Sequence, residues 1–222
     1  MPSSAVRTFS DPDDYAAAIR QGTIELTVTE RGNFSAKLVR IDLLRLWMQR
    51  FSDNLPRISD VAGWGGRAVF TFRTRPGPRL LAGGLEMEPT DIVRHSEGQS
   101  YFRLSFGLAN YGSMLLPVEE KISVGAAVAG RDLTPPKDPL VTLTPSPAAM
   151  AKLQWLHAAA GLLAGDAPEI IAHPETARGL EQALIEAFVG EGFVGRFTFP
   201  SYAGRSAHRS GLCGRAARSN WG

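Results

Sequence analysis

The chain has one cysteine and four histidines in 222 residues. A single cysteine, Cys213, excludes an intrachain disulfide framework and a cysteine-based zinc site, and it fits a reducing compartment. The histidines stand at 95, 157, 173 and 208 without any H-x-H pair, and only His95 falls in the strand-rich part. A metal site needs at least three protein ligands, so neither a metal nor another cofactor is expected. No run of apolar residues reaches bilayer length. The opening MPSSAVRTFSDPDD turns acidic where a secretory signal needs an apolar stretch. These absences predict a soluble, cytoplasmic protein that does not engage a membrane. Catalytic motifs are also missing: there is no G-x-x-x-x-G-K-[ST] and no G-x-G-x-x-G. Ser206, His208 and Ser210 in GRSAHRSG lack the second glycine and the strand-to-helix setting of a nucleophile elbow. No catalytic residue is expected, and the chain is read as a non-enzyme. The acidic run at 11–14 would suit a calcium loop, but Ala16 occupies the sixth position, where glycine is required.

Lysine and acidic residues are absent from the last 27 residues, Arg196–Gly222, which carry five arginines. Residues 1–195 then hold 19 basic and 22 acidic residues, so the net +2 of the whole chain belongs to the tail. The tail has no apolar periodicity and is rich in glycine and serine, which predicts disorder over 193–222. Its arginines would attract phosphate, and Phe197, Phe199, Tyr202 and Trp221 could stack on bases. The abrupt loss of pattern instead reads as a truncated or out-of-frame remnant of a longer chain.

What is present is a chain with 44% apolar and 21% charged residues, enough to bury a core. Asp11, Pro12, Asp13 and Asp14 predict a short helix over 11–21: a capping carboxylate, a proline at the first position and acids at the positive end of the dipole. TIELTVTE, NFSAKLVRI and LRLWMQRF alternate and are rich in β-branched or aromatic residues, so they read as strands. RAVFTFRT follows the Gly63–Gly66 stretch, with Ala68, Phe70 and Phe72 on one face and Arg67, Val69, Thr71 and Arg73 on the other. Shorter strands are expected near LEME, DIVRH, YFRLSF and GSMLL, separated by glycine and proline turns, a pattern of sandwiches and barrels. After residue 117 the period changes. PVEEKISVGAAVA reads as a helix and VTLTP as a brief strand. Ser146-Pro147 starts a helix striped by Met150, Leu153, His157 and Ala160. Pro174 starts another, striped by Ala177, Leu180, Leu184 and Phe188. Two striped helices with a short link form a helical hairpin.

Several segments together resemble AraC-type transcriptional regulators, in particular their N-terminal region in the cupin-like subgroup. They are RTFSDPDDYAAAIR, TIELTVTERGNFSAKLVRIDLLRLWMQRF, DIVRHSEGQSY, and YGSMLLPVEE followed by GRDLTPP. The order of barrel then helices agrees. The resemblance implies an α+β fold: a cupin-like β-barrel (jelly roll) over 1–145 that senses a small-molecule effector, and a helical segment over 146–192 for dimerisation or packing. It also implies a homodimer. The family's paired helix-turn-helix units, which grip DNA in the major groove, have no counterpart, because 27 residues are too few for them. The chain is therefore expected to sense and dimerise without specific DNA binding of its own, and to dampen a full-length relative through heterodimers.

Within such a barrel, Trp47, Phe70, Phe72 and Tyr101 are candidates to line a ligand site, with His95 and Arg103 as its polar groups. The competing reading is that these side chains fill the barrel. The alternation does not say which strand face points inward. Leu153, Leu180, Leu184 and Phe188 either pack on the barrel or build a two-fold interface, and the resemblance favours their use in dimerisation. Two other functions stay open: a small-molecule-binding cupin enzyme, and a dimeric scaffold without ligand.

Overall fold

Capping, alternation and turn chemistry place most of the elements. The computed structural model describes residues 1–20, 22–63, 65–117 and 140–189. After β1 (Ser3–Phe9), the Asp11 carboxylate accepts hydrogen bonds from the Asp13 and Asp14 amides and starts α1 (Pro12–Ala18), which ends three residues before the expected Gln21. The expected early strands appear as β2 (Gly22–Val28), β3 (Ala36–Asp42) and β4 (Trp47–Asp53). β5 (Arg57–Gly63) and β6 (Arg67–Arg73) follow, then a short hairpin of β7 (Leu80–Ala82) and β8 (Leu85–Glu86). Its two-residue turn is Gly83-Gly84, both at positive φ as a tight primed turn demands. A Cβ on Gly83 would run into Leu140, so this turn is also a packing requirement. β9 (Ile92–His95), β10 (Ser100–Ser105), β11 (Ala109–Pro117) and β12 (Leu140–Leu143) complete the strands. Pro117 ends β11 in register with Arg67 instead of opening a helix. The rest of the helix expected there, and the tail expected to be disordered, lie outside the described residues.

The strands form two antiparallel sheets. One runs β1-β3-β4-β11-β6-β9-β12 and the other β2-β5-β10-β7-β8. They face one another across an interior that includes Phe9, Tyr15, Leu38, Phe51, Val61, Leu80, Val93, Tyr101 and Tyr111. The two sheets form a β-sandwich with helices after it, the expected order of strands and helices. The helices are α2 (Pro147–Asp166), capped by the Ser146 hydroxyl, α3 (Pro168–Ala172) and α4 (Pro174–Val189). Among the described residues, no helix is long and apolar enough to cross a membrane.

The helices cover the outer face of the seven-stranded sheet. Val39, Ile41, Met48, Phe70, Phe72, Met114 and Leu116 from the strands share one hydrophobic cluster with Met150, Leu153, Ala160, Leu184 and Phe188 from the helices. Both predicted helical stripes are therefore buried within the chain. Glu181 of α4 fastens this layer. Its carboxylate accepts from the Arg45 and Leu46 amides at 2.7 and 3.0 Å and from Arg45 Nε at 2.8 Å, holding the β3–β4 turn. Burial pushes the Glu181 pKa up, but these donors outweigh it and hold the carboxyl below its ordinary value.

Candidate functional site

The interior of the sandwich is polar at its centre. Strand alternation turns Arg57, Ser59 and Val61 of β5 inward, together with Tyr101, Arg103 and Ser105 of β10. From the opposite sheet come Asp53, Thr71, His95 and Tyr111. Arg57 is 1% exposed and Arg103 is 2% exposed. Among the described residues, Asp53 is the only buried carboxylate on this side of the sheet. Arg57 Nη2 donates to Asp53 Oδ2 at 2.6 Å, and the Tyr15 hydroxyl donates to the same oxygen at 3.3 Å. Asp53 thus neutralises Arg57.

Among the described residues, Arg103 has no such partner. It donates from Nη2 to the Tyr101 hydroxyl at 3.2 Å, and its guanidinium lies 4.5 Å from the Tyr111 ring centroid. Burial pushes the Tyr101 phenol up to about 12, so it stays neutral and supplies no counter-charge. His95 stacks beside Tyr101 at 4.1 Å between ring centroids, and its Nε2 shares a 2.8 Å hydrogen bond with Thr71 Oγ1. Among the described residues, five buried atoms around this centre have no hydrogen-bond partner: Arg103 Nε, Arg57 Nε, His95 Nδ1, Asp53 Oδ1 and Ser105 Oγ. Buried polar atoms are usually paired, because leaving one unpaired costs about 1–3 kcal/mol.

The structure brings together three of the six expected site residues, His95, Tyr101 and Arg103. It places the other three elsewhere. Phe70 and Phe72 lie on the opposite face of β6, where Phe70 packs edge-on against Phe188 and Phe72 against His157. Both faces of this sheet are covered, so alternation paired the two phenylalanines correctly but could not assign their side. Trp47 starts β4, half-buried at the rim between the guanidiniums of Arg67 (3.6 Å) and Arg20 (5.1 Å). The expected interface residues Leu153, Leu184 and Phe188 are buried, and Leu180 packs beside them on the same cluster, so all four are used within the chain. Sequence reasoning missed Asp53, Arg57, Tyr15 and Tyr111. The available signal was β5 itself, where Arg57 and Ser59 occupy inward positions.

Among the described residues, no three His, Cys, Asp or Glu side chains are placed to share a metal ion. The groups around His95 do not suit one, since the nearby Arg103 guanidinium repels a cation. The second buried histidine, His157 of α2, faces the other side of the sheet, with Nδ1 2.8 Å from Arg50 Nη1. Arginine only donates, so Nδ1 accepts and the proton of the neutral ring sits on Nε2. Burial, and then Arg103 and Arg50 respectively, hold both imidazoles well below the ordinary histidine pKa. Below pH ~6.5 the unfolded chain binds protons that the folded chain rejects, so stability falls as the pH drops. At ~1.4 kcal/mol per group and pH unit, urea unfolding at pH 5.5 should show about 2–3 kcal/mol less stability than at pH 7.5. Equal stability at the two pH values would show that the imidazoles are not held neutral.

No protein-family model and no curated protein matches the chain. Solved structures do. The AraC-like transcriptional activator CuxR aligns with a TM-score of 0.52 at 12% identity, over 83% of this chain and 69% of that one. A cupin-2 domain protein from Rhodospirillum rubrum aligns with a TM-score of 0.30 at 14% identity, over 50% of this chain and 87% of that one. Vicilin from hazelnut, Corylus avellana, gives 0.30 at 12% identity over 79% and 49%. At such identities the likeness to the activator is one of fold.

Proposed function

We propose that this chain is the effector-sensing unit of a cytoplasmic transcription regulator, and that its effector is a small organic anion held inside the sandwich by Arg103. The observation that carries this is the fully buried guanidinium of Arg103, which among the described residues has no carboxylate beside it and has unpaired polar atoms around it. Burying an uncompensated charge costs several kcal/mol, so a site that keeps one is built for an incoming counter-charge. A ligand carboxylate would take the Arg103 fork in two parallel hydrogen bonds, while Tyr101, His95 and Ser105 supply further polar contacts. The protein acts by binding rather than by catalysis. The shared fold with an AraC-like activator supports the regulatory context.

Dimerisation belongs to the same reading, through a surface other than the expected one. α2 is apolar on both sides: its inner stripe is buried, and Trp155 and Leu162, seven residues apart, are each 68% exposed. A second copy covering this outer stripe would make an isologous contact.

The test uses Arg103→Met. A purely structural arginine would leave a destabilised protein on replacement. A binding arginine leaves stability unchanged or raised, because an apolar side chain removes an unpaired buried charge. Thermal melting against a panel of small carboxylic acids should give at least one that stabilises the wild type by several degrees and leaves Arg103→Met unmoved. A variant destabilised by several kcal/mol, with no acid acting on the wild type, would sink the proposal.

A further inference from the structure

The helix-covered face of the seven-stranded sheet carries a polar island within its apolar layer. Lys37, Ser52 and Asn110 sit directly across from one another on β3, β4 and β11. Arg50 lies one pleat along β4, and Thr74 and Arg75 follow the end of β6. These six side chains line a half-open cleft of about 350 Å³, roofed by Ala158, Gly161 and Leu162 of α2. That volume is within the range of small-molecule sites.

The charge of the cleft is one-sided. Three cations line it and no acid does. Among the described residues, none of the three forms an ion pair with a carboxylate. Arg50 is fixed in place. Nη1 is bonded to His157, and a Cβ at Gly161 would come within 2.5 Å of Arg50 Cδ, so the glycine makes room for the side chain. Burial, and then the charge of Arg75, lower the Arg50 pKa from its usual value, which marks the two guanidiniums as near enough to repel. An anion between them would remove that repulsion.

We propose that this cleft, on the opposite face of the sheet from the interior site, binds a phosphate-bearing small molecule. The donors favour phosphate over carboxylate. Two guanidinium forks, an ammonium, two hydroxyls and a side-chain amide line the cleft from β3, β4, β11 and the end of β6, a donor set that suits a tetrahedral group with three acceptor oxygens. Because α2 forms the roof, such a ligand would tie the helix to the sheet. The cleft does not depend on the reading of Arg103, and its test separates the two.

The full chain is titrated with inorganic pyrophosphate, orthophosphate and citrate at constant ionic strength, by calorimetry. Pyrophosphate should bind saturably, and more tightly than citrate. Lys37 and Arg75 are exposed, so Lys37→Ala/Arg75→Ala keeps the fold, as its melting curve verifies. That double variant should weaken pyrophosphate binding roughly tenfold or more, the equivalent of one lost charge-assisted contact. Arg103→Met should leave it unchanged. Absence of saturable binding to the wild type, equal affinity in the double variant, or citrate binding as well as pyrophosphate would each overturn the assignment.

Discussion

Asp53→Ala is expected to lower unfolding stability by about 4 kcal/mol, because it leaves Arg57 charged and buried without a partner. Three features set the size. Arg57 and Asp53 side chains are 1% and 0% exposed, so water cannot replace the lost charge. Arg103 lies in the same interior, so removing Asp53 leaves two guanidiniums there and, among the described residues, no buried carboxylate to face them. The Tyr15 hydroxyl loses its acceptor as well. Adding Arg57→Met should recover most of the loss, since a buried ion pair replaced by apolar side chains is often close to neutral. Urea denaturation of the single and double variants measures both effects. A single variant within about 1 kcal/mol of wild type would mean that Arg57 finds water or another acceptor.

Gly112→Val should cost about 3 kcal/mol, for a steric reason. A Cβ at Gly112 would stand 2.4 Å from His157 Cε1 and 3.1 Å from Nδ1. The ring cannot swing away. It is fully buried, its Nδ1 is held by Arg50, and its edge rests on Phe72. The milder Gly112→Ala isolates the cause. It should cost about 2 kcal/mol in the wild type and almost nothing in a His157→Ala background, so the double-mutant cycle should show coupling of ~1–2 kcal/mol. Equal costs in the two backgrounds would locate the penalty in the backbone of β11 rather than in the contact with His157.

Much of this architecture was legible in the sequence because local rules act strongly here. Asp11 and Ser146 cap helices, Pro147 and Pro174 start them, and the stripes on α2 and α4 pointed to their buried sides. β1 and β5 were not legible. In β1 only Phe9 is buried, so an edge strand paired with β3 shows no apolar alternation. β5 alternates with its sign inverted: Arg57 and Ser59 point inward, while Ile58 is exposed. A strand that carries the buried charge of the interior looks like a loop to any rule that equates inside with apolar. The same inversion hid the Asp53–Arg57 pair. The faces of Phe70 and Phe72 were undecided for a different reason. Alternation identifies a face, but only the position of distant helices says what lies on it. Leu153, Leu180, Leu184 and Phe188 were open between two partners, and the covering sheet of their own chain took them.

The two sheets differ in how freely their sequences can drift. Residues 68–73 of β6 and 111–116 of β11 are buried without interruption, since one side meets the interior and the other meets the helices. On β5 and β10 most positions alternate between the interior and the surface. Related chains can thus exchange half of the smaller sheet at little cost, including Ile58 and Phe102, while nearly every position at the centre of the larger sheet is committed. New recognition surfaces would arise on the first sheet, and the second would keep the fold recognisable after overall identity has faded.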